Sequence, residues 1–232
     1  MLRAIIFDFD GVIADTEPLH FRAFQQVLEG IGLSLSETDY YANYLGFDDR
    51  GCFVTALAAN NRPAPPDTVR SLMEQKAAAY LDAVCSHLVV LPGVPTFVRQ
   101  ASQRYPLAIA SGALRTEIEL ILQTIGLRDC FQQITSAEDV ARGKPDPEPF
   151  LLALELLNKP TGITGTAPIL PNACLVIEDS IPGIRGGKAA GMKVLAVANT
   201  HAIGELSEAD ALTPSLEEVN LQELNQRLWG TS

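Results

Sequence analysis

Short apolar runs that stop abruptly at polar groups recur along this chain. Residues 4–7 read Ala-Ile-Ile-Phe and stop at Asp8 and Asp10. Residues 107–110 stop at Ser111-Gly112, residues 173–177 at Glu178-Asp179, and residues 194–197 at Ala198-Asn199. Apolar runs of this length, without alternation, predict strands buried on both faces, as in a parallel sheet. Segments with helical spacing lie between them. Residues 94–104 follow Pro92-Gly93, residues 116–125 carry Ile118, Ile121, Leu122 and Ile125 ahead of Gly126, residues 149–157 start at a proline, and residues 184–190 precede Gly191. A first-turn proline leaves no helical hydrogen bond unmade, and a glycine ends a helix by taking the left-handed conformation. Strand and helix alternating from about residue 90 predict a doubly wound, Rossmann-like α/β core with a parallel sheet. Ligands of such sheets bind beyond the carboxyl ends of the strands. The four polar run ends would then face one crevice.

Residues 15–88 break this rhythm. Helices are expected over residues 18–28, 52–59 and 68–84, with the proline-rich residues 62–66 as a stiff connector. The expected organisation is an α/β core of residues 1–14 and 89–232, with a small α-helical cap domain, residues 15–88, inserted after the first strand. Its two crossings would act as a hinge. Residues 158–171, rich in Thr, Gly and Pro, read as a surface loop.

Charge narrows the functional classes. Among 232 residues, 28 are acidic and 17 basic, a net charge of −11. Nucleic-acid binding needs clustered Lys and Arg, which this chain lacks. An anionic substrate would need a metal or a local cationic pocket to reverse the sign of the field. No apolar run approaches the roughly 20 residues of a membrane span, and residues 4–7 are too short for a signal-peptide core. Cys52, Cys85, Cys130 and Cys174 form no CxxC pair and no metal-ligand spacing with His20, His87 or His201. Reduced thiols in a cytoplasmic protein are the expectation. The acidic surface points to a soluble monomer.

Candidate chemistry gathers at the run ends. Side chains alternate along an extended segment, so Asp8 and Asp10 can point the same way. Buried carboxylates side by side repel and lose hydration, and a hard divalent cation such as Mg2+ relieves both. The same residues would also fit an Asx turn at Gly11. Glu178 and Asp179 would complete a metal site with Asp8, while Asp179 or Ser180 can equally cap the next helix. Ser111 and Gly112 offer a hydroxyl and backbone N–H groups as a phosphate seat, or an ordinary turn. Lys144 is either a solvated loop charge or a cation placed to neutralise a substrate oxygen.

Taken in order, Asp8-Phe9-Asp10-Gly11-Val12, Ser111-Gly112, Gly143-Lys144-Pro145-Asp146-Pro147 and Glu178-Asp179-Ser180 resemble the signature motifs of the haloacid dehalogenase superfamily. The chain is similar to the subgroup with a helical cap after the first motif, which includes β-phosphoglucomutase and many sugar-phosphate phosphatases. The resemblance implies Asp8 as the nucleophile that forms an aspartyl-phosphate. It implies Asp10 as general acid and base, and Asp8, Asp10, Glu178 and Asp179 around Mg2+. Ser111, Gly112 and Lys144 would hold the phosphoryl oxygens. Substrate residues would be His20, Gly46, Phe47 and Lys76 in the cap, with Arg115 after the second motif. His20 and Phe47 also fit structural roles, and Lys76 a solvated helix charge. The mutase carries an arginine where this chain has Asp49, and a Ser-Lys-Asn stretch where it has Ala113-Leu114-Arg115. The expected activity is a Mg2+-dependent phosphatase for a small phosphorylated metabolite, with a sugar phosphate as the expected substrate. The alternatives are a β-phosphoglucomutase-like phosphotransferase and a non-catalytic binding module. The resemblance also implies a cis Lys144-Pro145 bond.

Overall fold

The computed structural model of the protein describes residues 1–44, 47, 49–159 and 167–230. Strand β1 (Ala4–Phe7) leads to the short β2 (Ala14–Asp15), and four helices follow: α1 (Glu17–Gly30), α2 (Glu37–Asn43), α3 (Asp49–Ala59) and α4 (Pro66–His87). The chain returns through β3 (Val89–Val90), α5 (Val94–Ser102), β4 (Leu107–Ala110), α6 (Arg115–Thr124) and β5 (Gln133–Thr135). It continues through α7 (Glu148–Asn158), β6 (Cys174–Glu178), α8 (Ile181–Ala189), β7 (Lys193–Val197), β8 (Ala211–Thr213) and α9 (Leu221–Trp229). Two compact units result, Met1–Asp15 with Val89–Ser232 and Thr16–Leu88.

The first unit is the expected doubly wound α/β core. Its sheet has the order β5-β4-β1-β6-β7-β8, with every pairing parallel. β1 is central, and the chain winds outward from it first through β4 to β5, then through β6 and β7 to β8. The reversal beside β1 is the topological switch point at which such sheets bind ligands. Both faces are covered. Ala4 and Ile6 pack with Phe150 and Leu154 of α7 and Ile184 of α8. On β1 the alternate residue Phe7 meets the rings of Phe97 (6.1 Å) and Phe131 (5.5 Å) edge-on. This two-sided burial explains the uniformly apolar strands. β2 and β3, the two passages flanking the helical segment, pair antiparallel. The Lys144-Pro145 bond is cis.

Strands β5 and β8 and helices α2 and α9 lie outside the sequence expectation. β5 contributes only Gln133-Ile134-Thr135, too short for a recognisable run, and takes its place by pairing with β4. α2 is a polar helix opened by Ser36, whose side chain accepts from Asp39 N. In the second unit α1 packs on α4, and α3 also packs on α4. Phe24 and Phe53 meet with ring centroids 5.1 Å apart. Part of the expected 158–171 loop, residues 160–166, lies outside the described residues.

Candidate active site

Asp8 continues β1 beyond its last residue: its N–H donates to Ile177 O at 2.9 Å, which fixes the backbone beside the end of β6. The residue is buried, 8% exposed. The chain then turns at Gly11, where φ is +73° and N–H donates to Ala14 O at 2.9 Å. A Cβ at Gly11 would lie 1.9 Å from Asp179 Oδ2, so only glycine lets this turn approach the end of β6. Gly183 serves the same end on α8, where a Cβ would lie 1.7 Å from Glu178 Oε1.

Lys144 joins two of the acids. Its Nζ lies 2.6 Å from Asp8 Oδ1 and 2.7 Å from Glu178 Oε1. The other Glu178 oxygen, Oε2, accepts from Asp179 N, Ser180 N and Ser180 Oγ, each at 2.9 Å. Ser180 in turn caps α8 by accepting from Gly183 N at 3.1 Å. Capping and acid placement are thus one arrangement. On the other side of β1, Ser111 Oγ donates to Asp10 Oδ2 at 3.3 Å and accepts from Ala113 N at 3.0 Å. A cavity of about 420 Å3 adjoins Ser111, Gly112 and Lys144, with Ala137, Val140 and Pro149 among its walls.

The electrostatics are those of a site short of positive charge. Oxygens of Asp8, Glu178 and Asp179 lie within 4.8 Å of one another, and all three residues are buried. Burial, then the Glu178 charge, push the Asp8 carboxyl well above its usual range against the opposing pull of Lys144. Burial and Glu178 likewise push Asp179 up to about 7. Glu178 goes the other way: burial would raise it, but the Lys144 ammonium and the hydrogen bonds from Lys144 and Ser180 hold it below its usual range. Lys144 loses hydration on burial, yet Asp8 and Glu178 outweigh that loss and hold it firmly protonated. One ammonium therefore faces three carboxylates, and a hard divalent cation supplies the kind of charge the donor set lacks.

Of the residues singled out in the sequence, Asp8, Asp10, Ser111, Gly112, Lys144, Glu178 and Asp179 all fall at this end of the sheet. Arg115 is engaged elsewhere, its guanidinium on Asp139 Oδ2 (2.7 Å) and Ile134 O (2.8 Å). In the helical unit, Gly46 lies outside the described residues, and Phe47 is 53% exposed. Lys76 is not a solvated helix charge. It is 1% exposed, with Nζ 2.9 Å from Asp49 Oδ1 and 2.8 Å from His20 Nδ1. Its stem is buried in the unit, and its terminal nitrogen is met there by an acid and an imidazole nitrogen.

His20 stacks on Tyr80 with centroids 4.5 Å apart, and burial followed by the Lys76 charge lowers its pKa to about 3. The folded protein therefore holds a neutral imidazole that the unfolded chain protonates below about 6.5. The stabilisation is complete above that pH and is lost as the pH falls toward 3. Urea titrations between pH 7 and pH 4 should show stability falling by about one proton's worth of slope more in the wild type than in His20→Gln. Equal slopes would contradict this protonation state.

Of two further residues in this region, Asn199 was expected only as a polar run end facing the crevice, and Thr200 was not singled out. Asn199 Nδ2 donates to Gly11 O at 2.7 Å, and the Thr200 hydroxyl donates to Asp179 Oδ2. The fourth apolar run, which stops before Asn199, was the signal available in the sequence.

A family model described as haloacid dehalogenase-like hydrolase matches residues 5–197. The phosphorylated carbohydrates phosphatase of Thermotoga maritima is 31% identical over 196 residues, 83% of this chain and 83% of that protein. The fructose-1-phosphate phosphatase of Escherichia coli is 30% identical over 193 residues, covering 83% of this chain and 95% of that protein. The crystal structure of β-phosphoglucomutase from Clostridium difficile superposes with a TM-score of 0.77 at 23% identity, covering 98% of this chain and 97% of that one, a likeness of fold. The arrangement of Asp8, Lys144, Glu178 and Asp179 around the end of β1 and the match along most of the chain agree: this protein belongs to the haloacid dehalogenase-like hydrolase family.

Proposed function

We propose that the protein hydrolyses the phosphoric monoester of a small metabolite, a sugar or sugar-alcohol phosphate, through a phosphoryl group carried on Asp8. The observation that carries this reading is the buried Asp8 carboxylate held 2.6 Å from Lys144 at the switch point of the sheet. Similarity to curated phosphatases of phosphorylated carbohydrates and of fructose 1-phosphate supports the substrate class. A neutral or cationic substrate would gain nothing from Lys144 and Ser111, whereas phosphoryl transfer is chiefly a matter of positioning and charge neutralisation.

Asp8 Oδ attacks phosphorus and displaces the alcohol oxygen, to which Asp10 gives its proton. Asp10, now a carboxylate, takes a proton from water, and that water attacks the phosphorus of the aspartyl-phosphate to release inorganic phosphate and regenerate Asp8. Lys144 and Ser111 donate hydrogen bonds to the transferring oxygens throughout. The donor set suits Mg2+: Asp8 and Asp179 would offer carboxylate oxygens and Asp10 its main-chain carbonyl. With both oxygens already engaged, Glu178 would orient Lys144 and the turn at Ser180 rather than ligate directly. When bound, the cation supplies charge neutralisation for the phosphoryl oxygens.

Hydrolysis is favoured over mutase chemistry because the position where the mutase carries an arginine is here Asp49, whose side chain is engaged with Lys76. The reading includes a cytoplasmic monomer. Cys52, Cys85, Cys130 and Cys174 are all free thiols, and no described helix is long and apolar enough to cross a membrane.

A panel of hexose and hexitol phosphates, assayed for released inorganic phosphate, tests the proposal. Turnover of at least one substrate should need Mg2+, stop with chelator and return on adding Mg2+. Turnover indifferent to chelator would contradict it. So would conversion of β-glucose 1-phosphate to glucose 6-phosphate without phosphate release.

A further inference from the structure

The loop after β7 reaches two parts of the site at once. Asn199 Nδ2 holds the Gly11 carbonyl at 2.7 Å, and the Thr200 hydroxyl holds Asp179 Oδ2. A Cβ at Gly11 would meet Asp179 Oδ2 at 1.9 Å and Thr200 Oγ1 at 2.7 Å, so the Gly11 turn, Asp179 and Thr200 are in close contact. Three segments that follow β1, β6 and β7 are thereby tied together by two side chains. Both side chains belong to exposed residues and bury little apolar surface. An exposed hydroxyl contact contributes little to global stability. Its consequence falls on the carboxylate it touches, whose orientation it fixes.

We propose that Thr200 is a positioning residue for Asp179, and that Asn199 is its counterpart for the Asp10-Gly11 turn. Together they set the affinity of the site for a divalent cation. The inference rests on the proposed function, in which Asp179 and the Asp10 carbonyl serve that cation. Thr200 holds Asp179 by its Oδ2 oxygen. Asn199 holds the Gly11 carbonyl, one peptide beyond the Asp10 carbonyl, and so restrains the turn that follows Asp10. Partners of metal-binding carboxylates outside the coordination sphere typically change metal affinity or activity by about 10- to 100-fold when removed.

Mn2+ binding followed by electron paramagnetic resonance tests this without any substrate. The wild type, Thr200→Val and Thr200→Ser are titrated as full-length chains, and each is also unfolded thermally without metal. Thr200→Val should bind Mn2+ about 10- to 100-fold more weakly, with an unchanged thermal midpoint. Thr200→Ser, which keeps the hydroxyl, should bind like the wild type. Wild-type affinity in Thr200→Val, or affinity in Thr200→Ser as weak as in Thr200→Val, would overturn the inference while leaving the metal site standing. A lowered thermal midpoint in Thr200→Val alongside weak binding would overturn it in favour of a structural role. A wild type that binds no Mn2+ would overturn both the inference and the metal reading beneath it.

Discussion

Replacing Asp8 by Asn should reduce phosphate release by at least about 10^4-fold, the scale seen when a nucleophile is removed from a site that otherwise stays intact. The substitution is nearly isosteric, and the amide can still accept from Lys144, which retains Glu178 at 2.7 Å. Stability should move the other way. Burial and Glu178 both oppose the Asp8 charge, so the folded protein holds that carboxylate at a cost relative to the unfolded chain. Removing the charge relieves the cost, and the thermal midpoint of Asp8→Asn without metal should equal or exceed that of the wild type. Loss of activity with gain of stability separates a nucleophile from a structural acid. A variant that unfolds more readily, or that still turns over at a rate near the wild type, would contradict the assignment.

Lys144→Met should be costly for both folding and turnover. Its ammonium is the shared partner of Asp8 and Glu178, and Glu178 is fully buried. Methionine fills the volume but leaves the acids facing each other, and removing one member of a buried ion pair typically costs about 3–5 kcal/mol. The sign with pH follows. Without the ammonium the folded state raises the affinity of these acids for protons above that of the unfolded chain. The stability deficit is then largest at neutral and alkaline pH and shrinks as the pH falls toward about 5. Urea unfolding at the two pH values reads this directly. A deficit below about 1 kcal/mol at pH 7.5, or one that grows in acid, would show that Lys144 is not the counter-charge of the cluster.

The core was legible because burial on both faces leaves an unmistakable mark on a strand. β1, β4, β6 and β7 carry uninterrupted apolar runs, and each run ends where a polar group enters the site. β5 and β8 could not be read this way. Each has only three described residues and exists through pairing with a neighbour already in place. Asp8, Ser111 and Asp179 were legible as chemistry because acids and hydroxyls at the ends of buried runs conflict with burial unless they have partners, whereas Lys144, in a loop, stood out only through the resemblance of the Gly143–Pro147 motif. The burial of Lys76 was not legible: its partners, Asp49 and His20, are far away in the chain, and a helix pattern does not show that a lysine points inward. Thr200 escaped because a threonine in a polar loop carries no signal until Asp179 is placed beside it.

Covalent capture of the phosphoryl group tests the central claim most directly. A turned-over, 32P-labelled sugar phosphate is mixed with the protein and Mg2+, quenched in acid within milliseconds, and the digested peptides are sequenced. Label should appear on the peptide containing Asp8, be absent from Asp8→Asn, and decay at the rate at which inorganic phosphate appears. Phosphate released at the full rate with no label on the protein, or label on a peptide lacking Asp8, would contradict the account.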